Sequence, residues 1–198
     1  MTTRPSIAIL AVVVAAAGLA GCNQYDQLIA KDQVCEQKWA DYQAQLQRRA
    51  DLVPNLVATV RGSAQHEEKT LAEVTEARAR ATSITLNAED LQDPEKVAAF
   101  QKAQDQLKGA LSRLLVANEA YPDLKANAAF HDLQVQLEGT ENRILRSREQ
   151  YNEAVRDYNT ELGKIRGAVV RRATGGTFKP RVYFQASADA ATPPKVTF

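Results

Sequence analysis

The feature that most constrains this fold is a seven-residue repeat in the second half of the chain. Large apolar residues recur at every seventh position, and mostly smaller residues fall between them. The two sets are Phe130, Leu137, Ile144, Tyr151, Tyr158 and Ile165, and then Leu133, Thr140, Ser147 and Ala154. This 3-4 alternation is the seam of an α-helix that packs against other helices. A helix over residues 127–166 would be about 60 Å long, so it needs partner helices of similar reach.

A first partner helix is predicted before residue 61. Its apolar stripe runs from Leu28 to Val60, and the 3-4 spacing stays in phase across Pro54. A proline inside a helix removes a hydrogen bond and clashes one turn back, at a cost of about 3 kcal/mol. Because the 3-4 spacing of apolar residues continues past Pro54, we favour a kinked helix over a turn between two helices at this position. Gly62-Ser63 is the other candidate for a break in the helix.

Two more helices complete the predicted set. A short helix is predicted from the spacing of apolar residues over 71–81, and a loop is predicted at 84–93. Asp93-Pro94-Glu95 then has the form of a helix start, with a capping aspartate, a proline at the first position and an acid in the first turn. The stripe that follows ends at Pro122, and Asn127 is the predicted N-cap of the long helix.

Composition agrees with an all-α fold, because good helix formers dominate and Gly and Pro are sparse before residue 162. We therefore predict an elongated antiparallel bundle of four helices over residues 22–166. Gly and Pro accumulate after that, so residues 167–198 are predicted to be an irregular tail. Its aromatic residues dock on the bundle, or the tail trails from it. A strand at 182–184 is disfavoured because no partner strand is in sight.

The N-terminal segment has the form of a bacterial lipoprotein signal. After a basic start, an apolar run extends from Ile7 to Ala17. It is too short for a bilayer span of about 20 residues and typical of a signal peptide. The Leu19-Ala20-Gly21-Cys22 stretch resembles the lipobox, in which signal residues 1–21 are removed and Cys22 carries lipid. The alternative is an uncleaved anchor helix.

Lipidation at Cys22 would hold the protein on a membrane outside the cytoplasm, facing the periplasm or the exterior. Asn23 after the cysteine favours the outer membrane if the cell is Gram-negative. Cys35 is then the one remaining thiol. Its place on the apolar stripe indicates a small buried hydrophobe, and an intermolecular disulfide or a redox role is the alternative.

The residue sets that catalysis or metal binding needs are incomplete. His66 starts a stretch similar to a zinc-protease motif, but Thr70 stands where the second histidine ligand belongs. Glu138 and Glu141 share a helix face, yet no histidine follows a glutamate at the spacing of a di-iron bundle. The net charge of +1 argues against a nucleic-acid binder. We predict no catalytic residues, no metal, no cofactor and no small-molecule substrate.

Three long ordered stretches resemble the LemA family of bacterial envelope proteins. They are RRADLVPNLV at 48–57, YPDLKAN at 121–127 and LEGTEN at 137–142. The resemblance covers about residues 25–198 and implies a membrane-anchored helical bundle with no established enzyme activity. Family members commonly carry an N-terminal membrane helix, whereas this chain has a lipobox.

Six polar positions in these stretches are candidates for structural or partner-binding roles: Asp51, Asn55, Asn127, Glu138, Glu141 and Asn142. The first two flank Pro54 and are expected to satisfy the backbone groups that it frees. The two glutamates are expected to face water or to pair with arginines such as Arg48, Arg49 or Arg113. Thr140 and Ser147 also interrupt the apolar seam here. We therefore predict a layer of polar side chains, here called the polar waist, in the middle of the bundle.

The predicted function follows from the predicted membrane anchor and from the incomplete catalytic and metal-binding motifs. It is a non-enzymatic, membrane-tethered scaffold or adaptor that binds an envelope protein of unknown identity. The alternative is a membrane-organising protein whose basic tail contacts lipid headgroups through Arg171, Arg172, Lys179 and Arg181.

Overall fold

The structure, a computed structural model, describes residues 4–63, 68–117 and 121–185, with side chains from residue 23 onward except at positions 63, 117 and 125. Its helices are α1 (Arg4–Ser63), α2 (Glu68–Ser83), α3 (Pro94–Ala117), α4 (Pro122–Lys125), α5 (Ala128–Gly163) and α6 (Ile165–Ala173), with a 3-10 turn at Asp90–Gln92. The described ranges contain no strand. The predicted all-α class is confirmed, and α4 and α6 are short helices beyond the predicted four.

The long helices run antiparallel. Gln24 of α1 hydrogen-bonds Glu161 at the far end of α5, whereas Arg49 reaches Glu141. The end of the bundle that contains the first of these pairs is called the Gln24 end below. α2 turns back along α1, and α3 turns back along α2. Within the described residues, no helix reaches the length and apolarity that crossing a bilayer takes.

Pro54 lies inside α1, and the helix continues past it to Ser63. The helix therefore ends at the second candidate break, Gly62-Ser63. Val53 and Leu56, on either side of the proline, are buried in the core. Burial of each side chain contributes about 1.5–3 kcal/mol, which offsets the cost of a helical proline, about 3 kcal/mol.

A residue of another helix satisfies the carbonyl group that Pro54 frees. Proline has no N–H, so the carbonyl of Ala50, one turn earlier, lacks its helical donor. Arg78 of α2 replaces that donor, since its Nε donates to Ala50 O at 2.7 Å. Asp51 and Asn55, the expected partners, are exposed, and Asp51 accepts a hydrogen bond from Gln47 instead.

α5 begins at its predicted cap and ends before residue 166. Asn127 accepts hydrogen bonds from the backbone N–H groups of the next turn. At the other end Lys164 is extended (φ −64°, ψ 155°), which separates α5 from α6. Ile165, predicted as the last seam residue, is therefore off the seam and 86% exposed.

α6 packs back against α1 and α5, so residues 167–173 are helical and not part of an irregular tail. Gly167 lies in the first turn of α6 and is buried. A Cβ on Gly167 would lie 3.0 Å from Leu162 Cα and closer still to the carbonyl oxygens of Glu161 and Leu162. Only glycine fits this approach of one helix to the other.

The apolar core consists of two clusters. The cluster at the Gln24 end, here the Trp39 cluster, includes Leu28, Trp39, Phe100, Tyr151 and Phe184. The cluster at the other end, here the Val60 cluster, includes Val60, Leu71, Leu114, Phe130 and Leu137. Each cluster draws on α1, α3 and α5, whereas α2 contributes to the Val60 cluster alone. The Trp39 cluster therefore lacks a fourth long helix, and the short helix α6 adds only Val170 to it.

The chain after α6 takes that fourth place. Residues 177–185, here the C-terminal segment, are extended along the bundle. Val182 N donates to Leu91 O at 2.9 Å. The ring of Phe184 stacks on Trp39 at 5.5 Å and 8°. The segment thus docks Phe178 and Phe184 on the bundle, which is one of the two arrangements that the sequence left open. The predicted tail residues 186–198 lie outside the described part of the chain.

Candidate functional site

A layer of polar side chains separates the two apolar clusters. Arg49 of α1 is only 2% exposed. Its guanidinium donates to Glu141 Oε1 of α5 at 3.0 Å and to Gln104 Oε1 of α3 at 2.6 Å. Gln104 Nε2 in turn donates to Ala81 O at the end of α2. One connected hydrogen-bond network therefore joins all four long helices at the predicted polar waist.

The candidate polar residues of α5 divide between this layer and the surface. Glu141 holds Arg49, whereas Glu138 and Asn142 are exposed. All three line a shallow groove of about 340 Å³ between α3 and α5. Thr140 and Ser147 are buried, and each donates its hydroxyl to a carbonyl one turn earlier in α5.

Reasoning from sequence missed Arg49 and Gln104 as a buried pair. Both occupy seam positions in otherwise apolar stripes, between Leu46 and Val53 in α1 and between Phe100 and Leu107 in α3. A polar residue at a seam position is the signal that points to such a layer. Two such positions on different helices do not by themselves reveal that they meet.

Three amide side chains hold the C-terminal segment on the bundle. Each side-chain amide donates to the backbone carbonyl of one segment residue and accepts from the backbone N–H of that same segment residue. Paired residues of neighbouring β-strands bond to each other in a similar way. The pairs are Asn159 with Arg181, Asn152 with Phe184, and Gln101 with Gln185. The segment therefore has ordered backbone partners although no strand lies beside it. The repeated Tyr-Asn at 151–152 and 158–159 is the sequence signal for this arrangement.

Arg181, one of the four basic residues in the alternative lipid-contact hypothesis, is buried and only 3% exposed. Its Nε donates to Asp32 Oδ1 at 2.7 Å, and a second nitrogen donates to Glu36 Oε1 at 3.3 Å. Its guanidinium carbon also lies 6.0 Å from the ring centre of Tyr158. The prediction that Arg181 contacts headgroups is wrong, because two carboxylates of α1 already hold the cation inside the fold.

Cys35 lies in the Trp39 cluster and is fully buried. Burial raises the pKa of its thiol to about 11. The nucleophilic form of cysteine is the thiolate, so Cys35 at neutral pH is a packed thiol without nucleophilic character. Burial likewise raises the pKa of Tyr42 to about 12.

The incomplete metal motifs of the sequence do not gain further ligands in the described part of the chain. His131 is exposed, and His66 lies outside the described residues. Across residues 4–63, 68–117 and 121–185, no three His, Cys, Asp or Glu side chains form a group suited to a metal ion. The predicted lipidation site, Cys22, precedes the first described side chain, so it stays a prediction.

A groove of about 830 Å³ lies between α2 and α3. Its floor holds the small residues Ala77, Ala98, Gly109 and Ala110. Its rims carry charges of both signs, from Glu73, Glu76, Arg80, Lys102, Asp105 and Arg113. The last described residue, Gln185, borders one end of the groove. Small residues on a floor let another backbone approach closely, so this surface suits a peptide or a helix.

The sequence model of the LemA family matches residues 38–198. The chain belongs to the LemA family. The match includes the polar layer, the groove and the C-terminal segment of this LemA protein. Residues 1–37, with Cys22, Asp32 and Glu36, precede the matched region. A search of the curated proteins finds no match.

Proposed function

We propose that this chain is a non-enzymatic scaffold of the bacterial cell envelope that is tethered to a membrane through Cys22. In this proposal the groove between α2 and α3 binds one segment of a partner protein. The observation that carries the proposal is the groove itself, a concave surface of about 830 Å³ with a floor of small side chains.

The charges around the groove favour a protein segment as its ligand. Both rims carry acidic and basic side chains, and Arg113 of α3 pairs with Glu73 of α2 at 3.4 Å. A site for phosphate or nucleic acid would concentrate positive charge. A rim of mixed sign instead complements a peptide whose own side chains carry both charges.

The rigid core beneath the groove supports a binding role. Val97 and Ala110, which also line it, are buried in the bundle. The C-terminal segment borders the groove through Val182, Tyr183 and Gln185. A surface built on packed helices is preformed, which lowers the entropic cost of binding.

Site-specific photo-crosslinking in cells tests this proposal. A photoreactive residue at Gln106, which is exposed in the groove, should capture one reproducible envelope protein. The same residue at Glu149, exposed on α5 outside the groove, is the control. Equal capture patterns at the two positions would refute the groove as the binding surface.

Neighbouring alanines on α3 supply a matched pair of variants. Ala98 and Ala99 are both exposed, but only Ala98 lines the groove. Ala98→Arg should therefore reduce crosslinking from Gln106 at least tenfold by filling the groove, whereas Ala99→Arg should leave it unchanged. The crosslinked band is quantified after equal expression of both variants is verified.

A further inference from the structure

α6 exposes apolar and basic side chains next to one another. Ile165 is 86% exposed and Val169 is 62% exposed, and residues four apart lie on the same side of a helix. Arg166, Arg171 and Arg172 of the same helix are also exposed. α6 contains no acidic residue. A helix with this surface is unusual where only water surrounds it, and it has the composition of an interfacial helix.

A basic concavity continues this surface after α6. Arg171, Arg172 and Lys179 line a hollow of about 430 Å³. Gly175 and Gly176 adopt positive φ angles of 65° and 82°, and this turn brings Lys179 to the arginines. The hollow is large enough for a phosphate group, and no acidic residue is among the described residues that line it.

The surface lies at the end of the bundle where the membrane anchor is predicted. Gln24 Nε2 donates to Glu161 Oε1 at 2.8 Å, which fixes the end of α5 beside the start of the described side chains. α6 follows directly after α5. Tyr25 is adjacent to Gln24, and its ring contacts Phe178 beside the basic hollow at 5.6 Å. A lipid on Cys22 would therefore bring α6 close to the headgroups.

We propose that α6 and Lys179 form a membrane-contact surface for anionic phospholipids. Ile165 and Val169 enter the headgroup region, while Arg171, Arg172 and Lys179 bind lipid phosphates. Each cation near an anionic surface strengthens the electrostatic attraction to it. The contact sets the orientation of the tethered bundle and hence the direction in which the α2–α3 groove faces. The inference rests on the tether of the proposed function but not on the groove.

Depth-dependent fluorescence quenching on vesicles tests the contact with the lipidated full chain. Deleting the tail is unsuitable, because Phe178, Arg181 and Phe184 belong to the buried interior. A single cysteine is introduced instead at Ala173 of α6 or at Val116 of α3, and a fluorophore is attached. Cys35 is buried and does not take the label. The vesicles contain phosphatidylcholine with or without phosphatidylglycerol, and a nitroxide on the lipid headgroup quenches the label.

The expected result is quenching at residue 173 that exceeds quenching at residue 116 at least threefold on phosphatidylglycerol vesicles. The difference should fall to near zero in Arg171→Gln/Arg172→Gln/Lys179→Gln. It should persist in Lys69→Gln/Lys108→Gln/Arg143→Gln, which removes as many exposed charges elsewhere. Equal quenching at both labels, or quenching at 173 that does not depend on phosphatidylglycerol, would overturn the inference. Crosslinking from Gln106 tests the groove separately, so either idea can fail alone.

Discussion

At the scale of single residues, one missing N–H accounts for the position of Arg78. Pro54 deprives Ala50 O of its donor, and the Arg78 guanidinium of α2 supplies a replacement. An unpaired buried carbonyl costs about 1–3 kcal/mol. Proline inside α1 is therefore tolerated because another helix completes its hydrogen bonds. The sequence pattern predicted a continuous stripe at Pro54, but the spacing within α1 carries no information about a donor on α2.

Cys35 gives a prediction about reactivity and pH. With Cys22→Ser, Cys35 is the one thiol of the chain. Its raised pKa of about 11, against an ordinary 9.0, leaves about one hundredfold less thiolate at pH 8. Native protein should therefore react with iodoacetamide at least one hundredfold more slowly than protein unfolded in urea, as measured by mass spectrometry.

The rate of this reaction should rise steadily between pH 7 and pH 10, because a thiol with a pKa of about 11 is still mostly protonated there. A plateau near pH 9 would contradict the raised pKa. The same raised pKa also sets how the stability of the fold depends on pH. The contribution of the neutral thiol to folding is fully present below pH 9 and is lost as the pH rises from 9 through 11.

At the scale of elements, the C-terminal segment replaces a helix in half of the bundle. The repeat in α5 predicted a long helix and its cap, because 3-4 spacing reports which face is buried. The same spacing missed the break at Lys164 and the helical return through α6. These features depend on a tight approach of Gly167 to Glu161 and Leu162 and on packing against α1. The packing against α1 is distant in sequence, so the spacing within α5 does not report it. A helical wheel places Asn152 and Asn159 away from the apolar face of α5. Their role, which is to hydrogen-bond the backbone of the C-terminal segment, becomes visible only when that segment is packed on the helix.

Two adjacent residues test how much the C-terminal segment stabilises the fold. Phe184 is buried against Trp39, whereas Tyr183 is 43% exposed. Phe184→Ala should lower the free energy of unfolding by about 3–5 kcal/mol through loss of burial and a cavity. Tyr183→Ala should lower it by about 1 kcal/mol or less. Urea unfolding followed by the fluorescence of Trp39, the single tryptophan, measures both.

The emission of Trp39 offers a second readout of the same pair. In Phe184→Ala the native emission should shift to the red as water reaches the indole, and in Tyr183→Ala it should not. Similar stability losses in the two variants would mean that the segment is held by its backbone hydrogen bonds and not by the Phe184 ring.

At the scale of the whole molecule, the Arg49 layer couples the Trp39 cluster to the Val60 cluster. Glu141→Gln removes the countercharge from a buried guanidinium, while its own position is about one-quarter exposed. Hydrogen bonds to charged groups contribute about 1.5–3 kcal/mol, and the exposure reduces this value. The variant should lose about 1–2 kcal/mol of unfolding free energy in thermal or urea denaturation.

Glu138→Gln is the matched control, one helical turn away on the same helix and exposed. It should change stability by no more than about 0.5 kcal/mol. A loss in Glu138→Gln as large as that in Glu141→Gln would show that general surface charge, and not the layer, stabilises the bundle. Residue types and seam positions predicted a polar waist, but the three-helix geometry of Arg49, Gln104 and Glu141 required the fold.

The distance along the chain between the partners of the Arg181 ion pair has a consequence for biosynthesis. Asp32 and Arg181 are 149 residues apart, and the stacked rings of Trp39 and Phe184 are separated almost as widely. A ribosome completes the first member of each pair long before the second. The interior at the Gln24 end therefore cannot close until almost all of the described chain has been synthesised, and its apolar side chains stay uncovered until then.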